Sequence, residues 1–144
     1  MNKKKAQVIF TSIPFTDTTR PLMAPGALKS IAIKNGYSSV ALDLNAKYLN
    51  IITNHPQSNL VLEFFKNGVL DPAVAKFVEN LLDKITDEIL EFDPQVVGLS
   101  VFTYDCRISA HYISWLLKRK KPNIKVLCGG SGLYENFSGK SIID

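Results

Sequence analysis

Cysteine and histidine are scarce in this chain, and their scarcity excludes several chemistries. Two cysteines, Cys106 and Cys128, in 144 residues cannot build a disulfide framework or a thiolate cluster. Both sit inside or beside apolar segments and read as buried spectator thiols. The two histidines, His55 and His111, have no metal-ligand spacing with each other or with the cysteines. His111, between Ala110 and Tyr112, reads as a packing or partly solvated imidazole. No serine–histidine–acid set is apparent. Long apolar runs are also missing: none reaches the roughly 18 to 20 residues needed to cross a bilayer. The start, Met1-Asn2-Lys3-Lys4-Lys5, resembles the basic end of a signal peptide, but only residues 6–10 follow as an apolar run. The expectation is a cytoplasmic protein with no membrane partner.

Acidic excess is absent as well; the formal net charge is +4. Much of the positive charge lies in two runs, Lys3-Lys4-Lys5 and Lys118-Arg119-Lys120-Lys121. No aromatic residues are interleaved with them, so a nucleic-acid partner is not expected. The second run reads as the last turn of a helix, where cations complement the helix dipole. What is present is globular composition, 46% hydrophobic and 21% charged. The length suits one domain with a real core, spanning residues 1–144.

Along the chain, strand and helix patterns alternate. Residues 7–12 (QVIFTS), 39–44 (SVALDL), 96–100 (VVGLS) and 125–128 (KVLC) are short and β-rich, and read as strands. Pro25 suits a first helical turn, with Leu28, Ile31 and Ala32 as an inner stripe and Asn35-Gly36 as its stop. Residues 45–70 are less regular, with short helical pieces interrupted at His55-Pro56. Asp71-Pro72 reads as a helix start, followed by the stripe Val74, Phe77, Val78, Leu81, Leu82, Ile85, Ile89. Asp105 or Thr103 is placed to cap a last helix to about Lys120, with Ile108, Tyr112, Trp115 and Leu116 facing inward.

This alternation predicts βαβ units and an α/β, doubly wound (flavodoxin- or Rossmann-like), mostly parallel sheet in the order 2-1-3-4. The sequence ends soon after the fourth strand, where a fifth would normally come, and reads as the front part of a longer polypeptide.

In such a sheet, ligands bind outside the carboxyl ends of the strands, where strand order reverses. Three loops converge there. The first contains Pro14, Phe15, Thr16, Asp17, Thr18, Thr19 and Arg20. The second contains Ser100, Val101, Phe102 and Thr103. The third contains Gly129, Gly130, Ser131 and Gly132. Their small and polar residues suit close approach of a ligand to backbone. Gly129-Gly130-Ser131-Gly132 lacks the Lys-Ser/Thr ending of a Walker loop, and no glycine pattern follows the first strand as a dinucleotide fingerprint would. No acidic residue stands in 7–15, so the paired carboxylates of a phosphoacceptor domain are missing.

An ordered set of segments resembles the cobalamin-binding domains that precede radical S-adenosylmethionine enzymes. It consists of Pro14-Phe15; Arg20-Pro21-Leu22-Met23-Ala24-Pro25-Gly26-Ala27-Leu28-Lys29; Asn35-Gly36-Tyr37 through Asp43-Leu44-Asn45; Asp93-Pro94-Gln95-Val96-Val97-Gly98-Leu99-Ser100; and Val126-Leu127-Cys128-Gly129-Gly130. The resemblance implies cobalamin along the strand ends, with Ser100, Val101, Phe102, Thr103, Gly129 and Gly130 lining its nucleotide tail. Residues 14–20 would face the lower side of the corrin, and Asp43 and Asn45 would shape the rim.

The Asp-x-His-x-x-Gly motif of better-known cobalamin domains, whose histidine ligates cobalt, is missing from 13–20. The implied state is therefore base-off, without a protein histidine ligand, which favours methyl transfer. The Cys-x-x-x-Cys-x-x-Cys triad of radical enzymes is absent too. By the resemblance, S-adenosylmethionine and a 4Fe–4S iron–sulfur cluster belong to a downstream radical S-adenosylmethionine domain, and this chain alone is not catalytic. Two other readings stay open: a degenerate relative serving as a docking or structural module, and a flavodoxin-like nucleotide-binding domain.

Overall fold

Short runs of β-branched and small residues form four strands: β1 (Val8–Ser12), β2 (Ser39–Asp43), β3 (Val96–Ser100) and β4 (Lys125–Gly129). In the computed structural model, which describes residues 5–15 and 23–133, they make one parallel sheet in the order β2–β1–β3–β4. This is the doubly wound order expected from the alternating pattern, and it reverses between β1 and β3. The helices are α1 (Met23–Lys34), α2 (Leu44–Thr53), α3 (Ser58–Asn67), α4 (Ala75–Leu90) and α5 (Cys106–Lys120). No helix of the described residues is long and apolar enough to cross a membrane.

The two faces of the sheet are covered unequally. Side chains alternate along a strand, and one set, with Ile9, Val97 and Leu99, enters the main core. There it joins Val78, Ile85 and Ile89 of α4 and Ile113 and Leu117 of α5. The opposite face carries α1, which packs on β1 and β2 and only marginally on β3. Leu28 and Ile31 of α1 are 44% and 57% exposed, and Pro25 is the helix's one buried residue. The stripe expected to face inward thus has little to pack against, because no described helix covers β3 and β4 on this side.

Other differences from the sequence expectation have local causes. The irregular stretch resolves into α2 and α3. Asp43 caps α2 by accepting from Ala46 N at 3.0 Å, and α3 stops at Gly68 in the left-handed region, φ 74°. Asp71 does not cap α4; its Oδ1 accepts from Ala73 N at 2.8 Å in a turn, and the helix begins at Ala75. Neither residue expected to cap α5 does so with its side chain. Asp105 makes no capping bond, and Thr103 Oγ1 donates instead to Phe15 O at 3.2 Å. Trp115 is 52% exposed rather than inward. The inner face of α5 centres on Ala110, Ile113 and Leu117, and Trp115, two residues from each of the last two, is turned to the flank of the helix, where it borders a hollow with Tyr112 and Leu116.

Two of the four cations in the basic run at the end of α5 are paired with carboxylates. Lys120 contacts Asp83 at 2.9 Å and Asp87 at 2.7 Å, and Lys121 contacts Asp93 at 2.5 Å. Burial alone would lower the Lys120 pKa, but Asp87 and Asp83 outweigh it and raise the group above the usual lysine range.

Candidate ligand groove at the strand ends

Strand register builds the site in two rows. Across the sheet, Ala41, Phe10, Gly98 and Leu127 stand side by side, and two residues further on stand Asp43, Ser12, Ser100 and Gly129. Alternation puts both rows on the face that carries α1. Between them and α1 runs a groove of about 350 Å³, within the usual size range of small-molecule sites. Ala24, Pro25 and Leu28 form its helical wall, and Phe10, Gly98 and Leu127 its floor. Ser100, Phe102, Gly129 and Gly130 lie towards the strand ends. The lining is mainly apolar. Leu127, in the middle of β4, is 60% exposed.

Glycines shape this groove. A Cβ on Gly98 would lie 2.6 Å from Phe10 Cδ1, so the floor exists because β3 has no side chain there. A Cβ on Gly129 would meet nothing within 4 Å, so the strand end opens onto free space. Gly130 has φ 130°, and a Cβ there would sit 2.4 Å from Val101 O. This close approach binds the loop after β4 to the loop after β3. Val101 N donates to Gly129 O at 2.7 Å, Gly132 N to Val101 O at 3.0 Å, and Ser131 Oγ to Phe102 O at 2.7 Å. Arg107 Nε adds a bond to Gly132 O at 2.7 Å.

Beside the groove is a shallower hollow of about 300 Å³, which includes Phe102, Thr103, Tyr104 and Ser131. The Phe102 and Tyr104 rings are about half exposed. The Arg107 guanidinium lies 4.4 Å from the Tyr104 ring centre. The loop after β1 is tied to the same region: Phe15 O accepts from Thr103 Oγ1 at 3.2 Å and from Cys106 Sγ at 3.3 Å. Lys66 Nζ lies 5.9 Å from the Phe15 ring centre.

The residues expected from sequence therefore separate into groups. Ser100, Phe102, Gly129 and Gly130 meet in the groove, and Thr103 and Ser131 in the adjoining hollow. Val101 is fully buried and contributes its backbone. Pro14 is buried and Phe15 part-buried; neither lines the groove. Asp43 and Asn45 are also outside it. Asp43 Oδ1 accepts from Ser12 Oγ at 2.6 Å, and Asn45 N donates to Ser12 Oγ at 3.3 Å, which ties the ends of β1 and β2 together. Thr16, Asp17, Thr18, Thr19 and Arg20 lie outside the described residues.

Sequence reasoning missed the body of the groove: Phe10, Gly98, Leu127 and the α1 wall. A glycine inside a β-branched strand, and a leucine alternating with Lys125 and Gly129 on a poorly covered strand, were the available signals.

One thiol borders the groove. It belongs to Cys128 and faces α5, 4.0 Å from Ser114 Oγ. Burial pushes that thiol's pKa up, and the Ser114 contact offsets part of the rise. Among the described residues, no three His, Cys, Asp or Glu side chains cluster to hold a metal. His55 packs on Phe77 at 4.1 Å between ring centres, and His111 is exposed on α5. The arrangement can accept a flat apolar group between α1 and the sheet, with polar contacts at the strand ends. The chain matches no protein-family model and no curated protein with which it was compared.

Proposed function

We propose that this chain is a cobalamin-binding module of a radical S-adenosylmethionine enzyme, acting in methyl transfer. The observation that carries the reading is the groove itself. It is apolar along the sheet and ends at Ser100 and at Gly129-Gly130. These are the segments whose sequence resembles cobalamin domains.

The residues present fit the group. Phe10, Leu28 and Leu127 would hold the flat base of the nucleotide tail by apolar contact. Gly98 keeps the floor low, and Gly129 leaves open space at the strand end. Ser100 and the backbone of Gly129 and Gly130 would take the polar linker of the tail. The groove is far smaller than a corrin, so the ring would lie outside it, over the strand ends. Cobalamin supplies cobalt-centred methyl chemistry when bound. This chain's part is to bind the tail, orient the ring and exclude water from one side of it. Residues 13–20 contain no histidine, so that segment would offer cobalt no imidazole. S-adenosylmethionine and the iron–sulfur cluster belong to a separate domain.

A second reading, a cofactor-free relative that docks another domain, is favoured by the half-exposed rings of Phe102 and Tyr104. Mixing the folded chain with hydroxocobalamin and desalting it separates the two. Corrin absorbance that travels with the protein supports the cobalamin reading. Protein eluting free of corrin at tens of micromolar overturns it and leaves the docking reading. Retention of flavin mononucleotide instead would assign the groove to a nucleotide.

A further inference from the structure

A second hollow, independent of the ligand groove, opens on the helical layer formed by α3, α4 and α5. It measures about 410 Å³. Its floor is apolar and includes Phe64, Val78 and Leu82. Two half-exposed side chains, Leu70 and Trp115, stand at its rim. Glu79 and Asp83, one turn apart on α4, lie on one side, and Arg119 of α5 on the other, its guanidinium 4.9 Å from the Trp115 ring centre.

This patch carries a projection and a recess side by side. Trp115 and Arg119, one turn apart, form the projection, and they are among the residue types most enriched where binding energy concentrates. The recess is an apolar floor with a carboxylate rim. The charges are complementary within the same patch. Lys120 already engages Asp83. Among the described residues Glu79 meets Lys76, at 3.5 Å with both side chains well exposed, a contact that contributes little. A surface holding both halves of a complementary contact is what a twofold interface requires, since each copy then gives what the other receives.

We propose that the α4–α5 groove is the interface of a homodimer. Trp115 of each copy enters the hollow of the other, and Arg119 of each copy pairs with Glu79 of the other.

Sedimentation equilibrium of the intact chain across about 1 to 500 µM tests this. The expected result is a mass rising with concentration from one chain to two. Trp115→Ala weakens association at least about tenfold, as for a hot-spot aromatic. Glu79→Arg and Arg119→Glu each abolish it, because each sets like charges against one another. An equimolar mixture of those two variants restores a dimer, because the opposite charges then meet twice. All three positions are exposed, and circular dichroism of each variant checks that the fold is kept. A chain that stays monomeric throughout overturns the proposal, as does a dimer indifferent to all three substitutions. A monomer that instead takes up a lysine-rich amphipathic peptide also overturns it and assigns the groove to another protein.

Discussion

Phe10 and Gly98 are partners across β1 and β3, and a Cβ on Gly98 would lie 2.6 Å from Phe10 Cδ1. One ring and one missing side chain together set the depth of the groove floor. Gly98→Ala should push the Phe10 ring aside and destabilise the chain by about 1 to 2 kcal/mol, the ordinary cost of overpacking. In a Phe10→Leu background the same change should cost less than half as much. Urea unfolding of the four chains measures the coupling.

Gly129 and Gly130 are adjacent and should respond differently. Gly129→Ala meets nothing within 4 Å and should stay within about 0.5 kcal/mol of the parent. Gly130→Ala forces a side chain into φ 130° and against Val101 O at 2.4 Å. It should destabilise by about 1 to 3 kcal/mol. Equal unfolding midpoints for the two variants would contradict the described loop packing.

Asp43 joins two elements with one oxygen. It accepts from Ser12 Oγ at 2.6 Å and caps α2 through Ala46 N at 3.0 Å. Asp43→Ala should cost about 1 to 2 kcal/mol and Asp43→Asn less, since asparagine still caps. Asp43 lies outside the groove, so ligand retention should survive both changes. Loss of retention with stability intact would instead place Asp43 on the rim of the ligand site.

Tyr48 gives the fold a component of stability that falls at alkaline pH. Burial, a hydrogen bond to Glu88 Oε2 at 2.9 Å and the nearby Glu88 and Glu91 charges push its pKa up to about 12 from 10.0. The folded state therefore holds the phenol proton more tightly than the unfolded state does. The resulting stability is full below about pH 10 and is lost as pH rises towards 12, at up to about 1.4 kcal/mol per unit. Tyr48→Phe should remove this component of the pH dependence between about pH 10 and pH 12, read as a smaller shift in urea midpoint. An unchanged shift would show that Tyr48 is not the group responsible.

Strand order was legible because the four β-rich segments alternate with helical ones, and right-handed crossovers leave few alternatives. The strand-end residues Ser100, Gly129 and Gly130 were legible for the same reason, since topology alone places them together. The groove body was not. Whether Leu28 and Leu127 face a core depends on what else covers that side of the sheet, and periodicity cannot show a missing neighbour. Trp115 misled for a related reason: an aromatic beside an apolar stripe suggests burial, but its place on the flank of α5 leaves it half-exposed at the rim of a hollow. Asp43, expected on the ligand rim, is engaged in a bond to Ser12 that spans 31 positions of sequence and has no local signature.

Equilibrium dialysis of hydroxocobalamin against the parent chain and a Leu127→Glu variant tests the central claim most directly. Leu127 is 60% exposed, so the substitution leaves the core untouched while placing a carboxylate on the groove floor. The cobalamin reading predicts that the parent binds one equivalent and that the variant binds at least about tenfold more weakly, the cost of setting a charge against an apolar group. Equal binding by the two chains, or no binding by the parent, would contradict it.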